Sequence, residues 1–126
     1  MVAVSPMTVR LELFPQNLDS FFDFYTRVLR FTPDRDERTA PSPYVSVHRD
    51  SVHIGAVKAW EPTDPGRRLP PQGVEIVLEV DDLDADRAAV VEAGAQLLED
   101  IVERPWGLRD FRLLDPEGNY LRITSR

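Results

Sequence analysis

The side chains that bear most directly on chemistry are Arg10, Glu12, His48, His53, Glu75 and Arg122. Glutamate and neutral histidine donate lone pairs to a divalent ion, whereas a guanidinium has none to give and stays protonated. His48 and His53 stand five apart in a strand-forming region, and an odd separation along one strand puts side chains on opposite faces. That parity predicts two ordinary strand residues rather than a chelating pair. Asp81, Asp82 and Asp84 cluster their carboxylates where a helix begins, so capping and the helix dipole account for them. The chain has no cysteine, which removes disulfides, thiolate metal sites and thiol nucleophiles and fits a reducing cytoplasm. It also lacks a Gly-x-Ser-x-Gly elbow and a Gly-rich phosphate loop. Trp60, Trp106, Tyr44, Phe111 and Tyr120 lie in strands or loops, where flat ligands are held by stacking. Trp60 opens a breaker-rich connector, where it could act as a lid. Phe21, Phe22, Phe24 and Tyr25 recur at helical spacing and read as core.

Composition narrows the setting. With 126 residues, 42% hydrophobic and 29% charged, the chain is one globular domain or two small modules sharing a core. No apolar run approaches the roughly 20 residues needed to cross a bilayer. Met1-Val2-Ala3-Val4-Ser5-Pro6 has neither a basic n-region nor a long apolar h-region, so no signal peptide is expected. Twenty-two acidic residues against 15 basic ones give a formal charge of −7, which disfavours a phosphate backbone as partner; the surplus either attracts a cationic small molecule or simply keeps the protein soluble.

The elements that must position these side chains come in a repeated order. Residues 7–14 alternate apolar and polar side chains as a half-buried strand does. Asn17 caps a helix over 18–29, and residues 31–37 form a weaker strand. The loop Thr39-Ala40-Pro41-Ser42-Pro43 precedes strands over 44–48 and 52–57, with Arg49-Asp50-Ser51 turning between them. Residues 61–73 hold four prolines and two glycines and read as a connector. The pattern then restarts. A strand covers 74–80, a helix 83–93 ends on Gly94, and strands follow over 96–103, 110–114 and 120–124. Asn17-Leu18-Asp19 and Asp82-Leu83-Asp84 each follow an apolar strand and open a helix. The reading is an α+β chain of two βαβββ modules, 1–60 and 74–126, joined by the connector 61–73 into one compact domain.

Three stretches resemble the vicinal-oxygen-chelate superfamily of glyoxalases, extradiol dioxygenases and bleomycin-resistance proteins. One runs from Asn17-Leu18-Asp19 through Phe24-Tyr25 to Leu29-Arg30-Phe31, with Arg30 where the family has glycine, so that corner is expected to be built differently. The second is residues 74–84. The third, the most specific, is Pro105-Trp106-Gly107 with Phe111 and Asp115-Pro116-Glu117-Gly118-Asn119-Tyr120, and is similar to the metal-free antibiotic-resistance branch. The resemblance implies curved mixed sheets around a cleft and a homodimer with a cleft at its interface.

The superfamily's enzymes hold a divalent metal with ligands from four strands. Carried over, those positions fall on Arg10 or Glu12, near Ile54 with His53 adjacent, on Glu75 and on Arg122. Two arginines there predict a chain without metal or other cofactor. Arg10, Glu75 and Arg122 are expected to form an ion pair or triad in place of the metal. Either the set satisfies itself, or one arginine is left for an acidic or carbonyl-bearing ligand. The ligand-binding set implied is Trp106, Trp60, Arg10, Glu75, Arg122, Phe111, Tyr44 and Tyr120, with no catalytic residue. Trp106, within the stretch matching the resistance branch, is the foremost candidate for a cleft wall. The expected function is sequestration of an antibiotic or related aromatic natural product by a cytoplasmic homodimer, with no nucleic-acid or membrane partner. A metal-dependent lyase, isomerase or dioxygenase is the alternative, requiring Glu12, His53 and Glu75 to converge on one ion. A bare interaction domain is a third.

Overall fold

The computed structural model describes residues 4–62, 64 and 70–126. Residues 1–3 of the leader reading, and 63 and 65–69 of the expected connector, lie outside the described residues.

Eight strands and two helices follow in the order β1 (Arg10–Leu13), α1 (Leu18–Asp23), β2 (Thr32–Glu37), β3 (Tyr44–Arg49), β4 (Val52–Ala56), β5 (Ile76–Glu79), α2 (Leu83–Glu92), β6 (Glu99–Glu103), β7 (Arg109–Leu114) and β8 (Tyr120–Thr124). They form two open four-stranded sheets ordered β1-β4-β3-β2 and β5-β8-β7-β6. In each, the first strand pairs parallel with the last, and the other neighbours are antiparallel. The architecture is therefore the α+β arrangement of two βαβββ units. No helix among the described residues is long and apolar enough to cross a membrane.

Local chemistry sets the element ends. The Asn17 side chain accepts from the Ser20 N–H at 3.0 Å, and Asp82 does the same for Ala85 at 3.0 Å, each satisfying a donor that a helix start leaves orphaned. After six α-helical residues the first helix widens into a π-helical turn, Phe24–Val28, rather than running on in α form to residue 29. The Thr26 hydroxyl bonds the Phe22 carbonyl at 2.6 Å, and the Leu29 N–H reaches back to Phe24 at 3.1 Å, the pattern of a local widening. β1 is shorter than the alternation suggests, because only four residues find partners on β4.

The Leu29-Arg30-Phe31 corner has a backbone suited to glycine. Arg30 has φ +61°, the left-handed conformation that glycine takes without cost.

Period-two alternation puts Leu11, Val45, Val47 and Ile54 on one face of the first sheet, and Phe111, Leu113, Leu121 and Ile123 on one face of the second. These join Phe21, Tyr25 and Val90 of the helical segments in a single apolar core. Three buried acids fasten the units across it. Asp115 accepts the Tyr25 hydroxyl at 2.8 Å. Glu117 accepts the Gln16 and Asn17 backbone N–H groups ahead of α1. Asp86 on α2 accepts from Arg30 at 2.8 Å and from Arg49 at 3.1 Å.

Candidate ligand-binding site

The opposite faces of the sheets are polar. On the first, His53 pairs in register with both Arg10 and His48, and Gly55 with Glu12, so Arg10, Glu12, His48 and His53 share one face. This corrects the strand-parity reading that put the two histidines on opposite faces. The two-residue turn Asp50-Ser51 folds them into cross-strand neighbours, with rings stacked at 5.7 Å. Parity along one strand does not survive a hairpin reversal. His48 Nδ1 lies 2.6 Å from Asp34 Oδ1.

Glu12 is the hub of this face. Arg10 Nε lies 2.8 Å from its carboxylate, and the Tyr44 hydroxyl donates to it at 3.0 Å. Burial, reinforced by that carboxylate, raises the Tyr44 phenol above its ordinary value. Both side chains lie across Gly55, where a Cβ would come within 2.2 Å of Tyr44 Oη and 2.6 Å of Glu12 Oε2. A side chain there would have to displace the Tyr44 and Glu12 ends, so glycine is favoured by close approach, not by backbone angle.

On the second sheet, Arg122 Nε and Glu75 Oε1 are 3.0 Å apart. Neither atom makes a directed hydrogen bond, so charge alone holds the pair. Beside them Arg112 donates to the Tyr120 hydroxyl at 2.9 Å. Of the expected ion pair or triad of Arg10, Glu75 and Arg122, the pair of Arg122 with Glu75 is present, while Arg10 faces Glu12 instead. Nothing in this donor set fits a divalent metal. Guanidinium groups stand at two positions, both glutamates face arginine, and no three His, Asp or Glu side chains among the described residues are placed to hold an ion.

The aromatic side chains fall in three places. Trp106 sits on the β6–β7 turn, 58% exposed, whereas Phe111 is wholly buried on the core face of β7. Tyr44 is tied to Glu12. Trp60 and Tyr120, in contrast, line one groove of about 910 Å³ with Phe14, Glu12, Glu61 and Asp64. Trp60, 81% exposed, packs against Phe14 with ring centroids 5.3 Å apart and planes tilted by 35°. The Ala59 N–H bonds the Pro15 carbonyl at 2.8 Å, which brings the chain after β4 alongside the end of β1. Phe14 was missed by sequence reasoning. Its alternation marked a strand residue, and only the long-range contact shows that its ring meets Trp60. Among the described residues no Lys or Arg lines the groove.

The Glyoxalase/Bleomycin resistance protein/Dioxygenase superfamily model matches residues 8–123. UcmS2 superposes with TM-score 0.75 at 23% identity, covering 96% of this chain and 98% of that one. TioX from Micromonospora sp. ML1 does so with TM-score 0.71 at 22% identity, covering 97% and 98%. A glyoxalase/bleomycin resistance protein from Streptomyces sp. CB03234 gives 0.69 at 24% identity, covering 93% and 98%. At these identities the likeness is one of fold. No curated protein matches the chain. With that model spanning nearly all of the sequence, and the paired βαβββ sheets it implies in place, the chain belongs to the glyoxalase/bleomycin resistance protein/dioxygenase superfamily.

Proposed function

We propose that this protein binds a cationic aromatic natural product of antibiotic type in the Trp60 groove and sequesters it without metal or catalysis. The observation that carries the reading is the exposed, tilted Phe14–Trp60 pair beside Glu61 and Asp64, with no basic side chain on the described wall and with Glu12 already paired to Arg10. A planar ligand gains contact area on such a pair, and carboxylates around it favour positive charge. The volume falls in the range of about 300–1,000 Å³ that drug-sized ligands occupy. Arg10 and Arg122, each facing a glutamate, add little pull on an anionic ligand. Sequestration needs affinity and stoichiometric protein, not a nucleophile, which suits a chain without cysteine. The structural neighbour described as a glyoxalase/bleomycin resistance protein supports the same direction. Action as a cytoplasmic homodimer completes the proposal.

The test is titration of Trp106→Phe protein, in which Trp60 is the sole tryptophan, with a cationic bleomycin-type glycopeptide and with an anionic aromatic polyketide. Saturable quenching by the cation is expected. Quenching by the anion alone would overturn the charge assignment, and quenching by neither would overturn the site.

A further inference from the structure

A second cavity, of about 660 Å³, opens between the units at the other end of the strands from the Trp60 groove. Its lining is mixed: the half-buried Val52, Leu78 and Val80 present apolar surface among charged side chains, backed by the nearly fully buried Phe31, Val90, Phe111 and Ile123. Its charged lining falls into two groups, Arg30 and Arg49 around Asp86, and Arg126 with Asp81, Glu79 and Asp50, with Asp82 also on the wall.

The cationic group holds more charge than the fold needs. Arg49 already engages Asp86 through both carboxylate oxygens, Nη1–Oδ1 at 2.8 Å and Nη2–Oδ2 at 3.1 Å, and its Nη1 also donates to the Leu29 carbonyl at 3.1 Å. A bidentate guanidinium satisfies a buried carboxylate by itself. Arg30 nevertheless brings a second guanidinium to Asp86 at 2.8 Å while half exposed, from a backbone at φ +61°. A non-glycine residue there carries a conformational cost that glycine would avoid. Two guanidiniums on one carboxylate leave a local surplus of one positive charge on the cavity wall. Arg126 bonds Asp81 at 2.8 Å with Glu79 and Asp50 in electrostatic reach, so that group carries surplus negative charge.

We infer that this cavity is a second ligand site, for a zwitterionic amphiphile of the α-amino-acid class. Its carboxylate takes the Arg30–Arg49 group, its ammonium the Asp50–Glu79–Asp81 group, and its aromatic or large aliphatic side chain the apolar part of the lining. The site shares no lining residue with the Trp60 groove, so it stands or falls independently of the function proposed above.

Titration followed by amide chemical shifts tests this with three probes: L-phenylalanine, 3-phenylpropionate, which lacks the ammonium, and 2-phenylethylamine, which lacks the carboxylate. Saturable shifts at Arg30, Arg49, Val90 and Phe111 are expected with phenylalanine, and about tenfold or greater weakening for each single-charge probe. Arg30→Gly suits the backbone at that φ and should keep the dispersed spectrum while weakening phenylalanine about tenfold. Ala85→Trp, which fills the cavity, should abolish the shifts. Absence of shifts at those amides, shifts confined to the Phe14–Trp60 region, equal affinity for the three probes, or unchanged affinity in folded Arg30→Gly would each overturn the assignment.

Discussion

The Tyr25 hydroxyl donates to the Asp115 carboxylate at 2.8 Å, joining the first helical segment to the last hairpin across ninety positions of chain. Asp115 also accepts from the Glu117 and Asn119 backbone N–H groups and from the Asn119 side chain. Two residues on, Glu117 holds the chain entering the same helix. The Asp-Pro-Glu-Gly-Asn turn thus works as a fastener between the units, which is a structural role and explains why it marks the fold better than it marks a ligand. Tyr25→Phe removes one donor from a buried carboxylate and should cost about 1–3 kcal/mol, measured by urea denaturation. An unchanged midpoint would show that Asp115 does not need it.

Asp86 and Asp115 should respond to acid in opposite senses. Burial opposes ionisation of Asp86, but the Arg49 and Arg30 guanidiniums outweigh it and hold the carboxyl below its usual range. Its contribution is therefore present above the unfolded value of about 3.9 and lost as pH falls through the depressed one. Asp115 is pushed up by burial, more than its hydrogen bonds pull it down. Folding is thus favoured by its protonation, and that contribution declines as pH rises through the raised value. Asp86→Asn should flatten the loss of stability below pH about 4, whereas Asp115→Asn should remove a gain in stability on acidification that lies above pH about 4, between the unfolded value and the raised one. The same slope for both variants in acid-titrated thermal melts would contradict this division.

Gly55→Ala tests the close approach above β4. A Cβ there would meet Tyr44 Oη and both Glu12 carboxylate oxygens, so the variant should lose about 1–3 kcal/mol. Adding Tyr44→Phe removes the nearest atom and should restore part of that loss. Additive losses in the double variant would mean the phenol is not what the Cβ meets.

The sequence was informative wherever the cause is local. Asn17 and Asp82 carry caps that can be read from residue type and spacing, and Gly94 ends α2 at φ +91°. Illegible features depend on which strands become neighbours. His48 and His53 meet because a turn reverses the chain between them. Glu12 takes Arg10 because the two share a strand face, leaving Glu75 to Arg122. Phe14 and Trp60 meet because the chain after β4 runs beside the end of β1. Trp106 drew attention by lying in the most recognisable motif, but its turn leaves the ring 58% exposed.

Purified protein dialysed against metal-free buffer should hold no stoichiometric divalent metal, because arginine occupies two positions and the carboxylates at the others are ion-paired. Elemental analysis showing one Zn, Ni, Fe or Mn per chain after dialysis would restore the metalloenzyme alternative.

The central claim is that the Phe14–Trp60 groove binds a cationic aromatic ligand, and calorimetric titration with the bleomycin-type glycopeptide tests it most directly. Wild-type and Trp106→Phe proteins should bind alike, while Trp60→Ala should lose about tenfold or more in affinity, the scale of one stacked aromatic anchor. Wild-type affinity in Trp60→Ala with loss in Trp106→Phe would contradict the account and move the site to the β6–β7 turn.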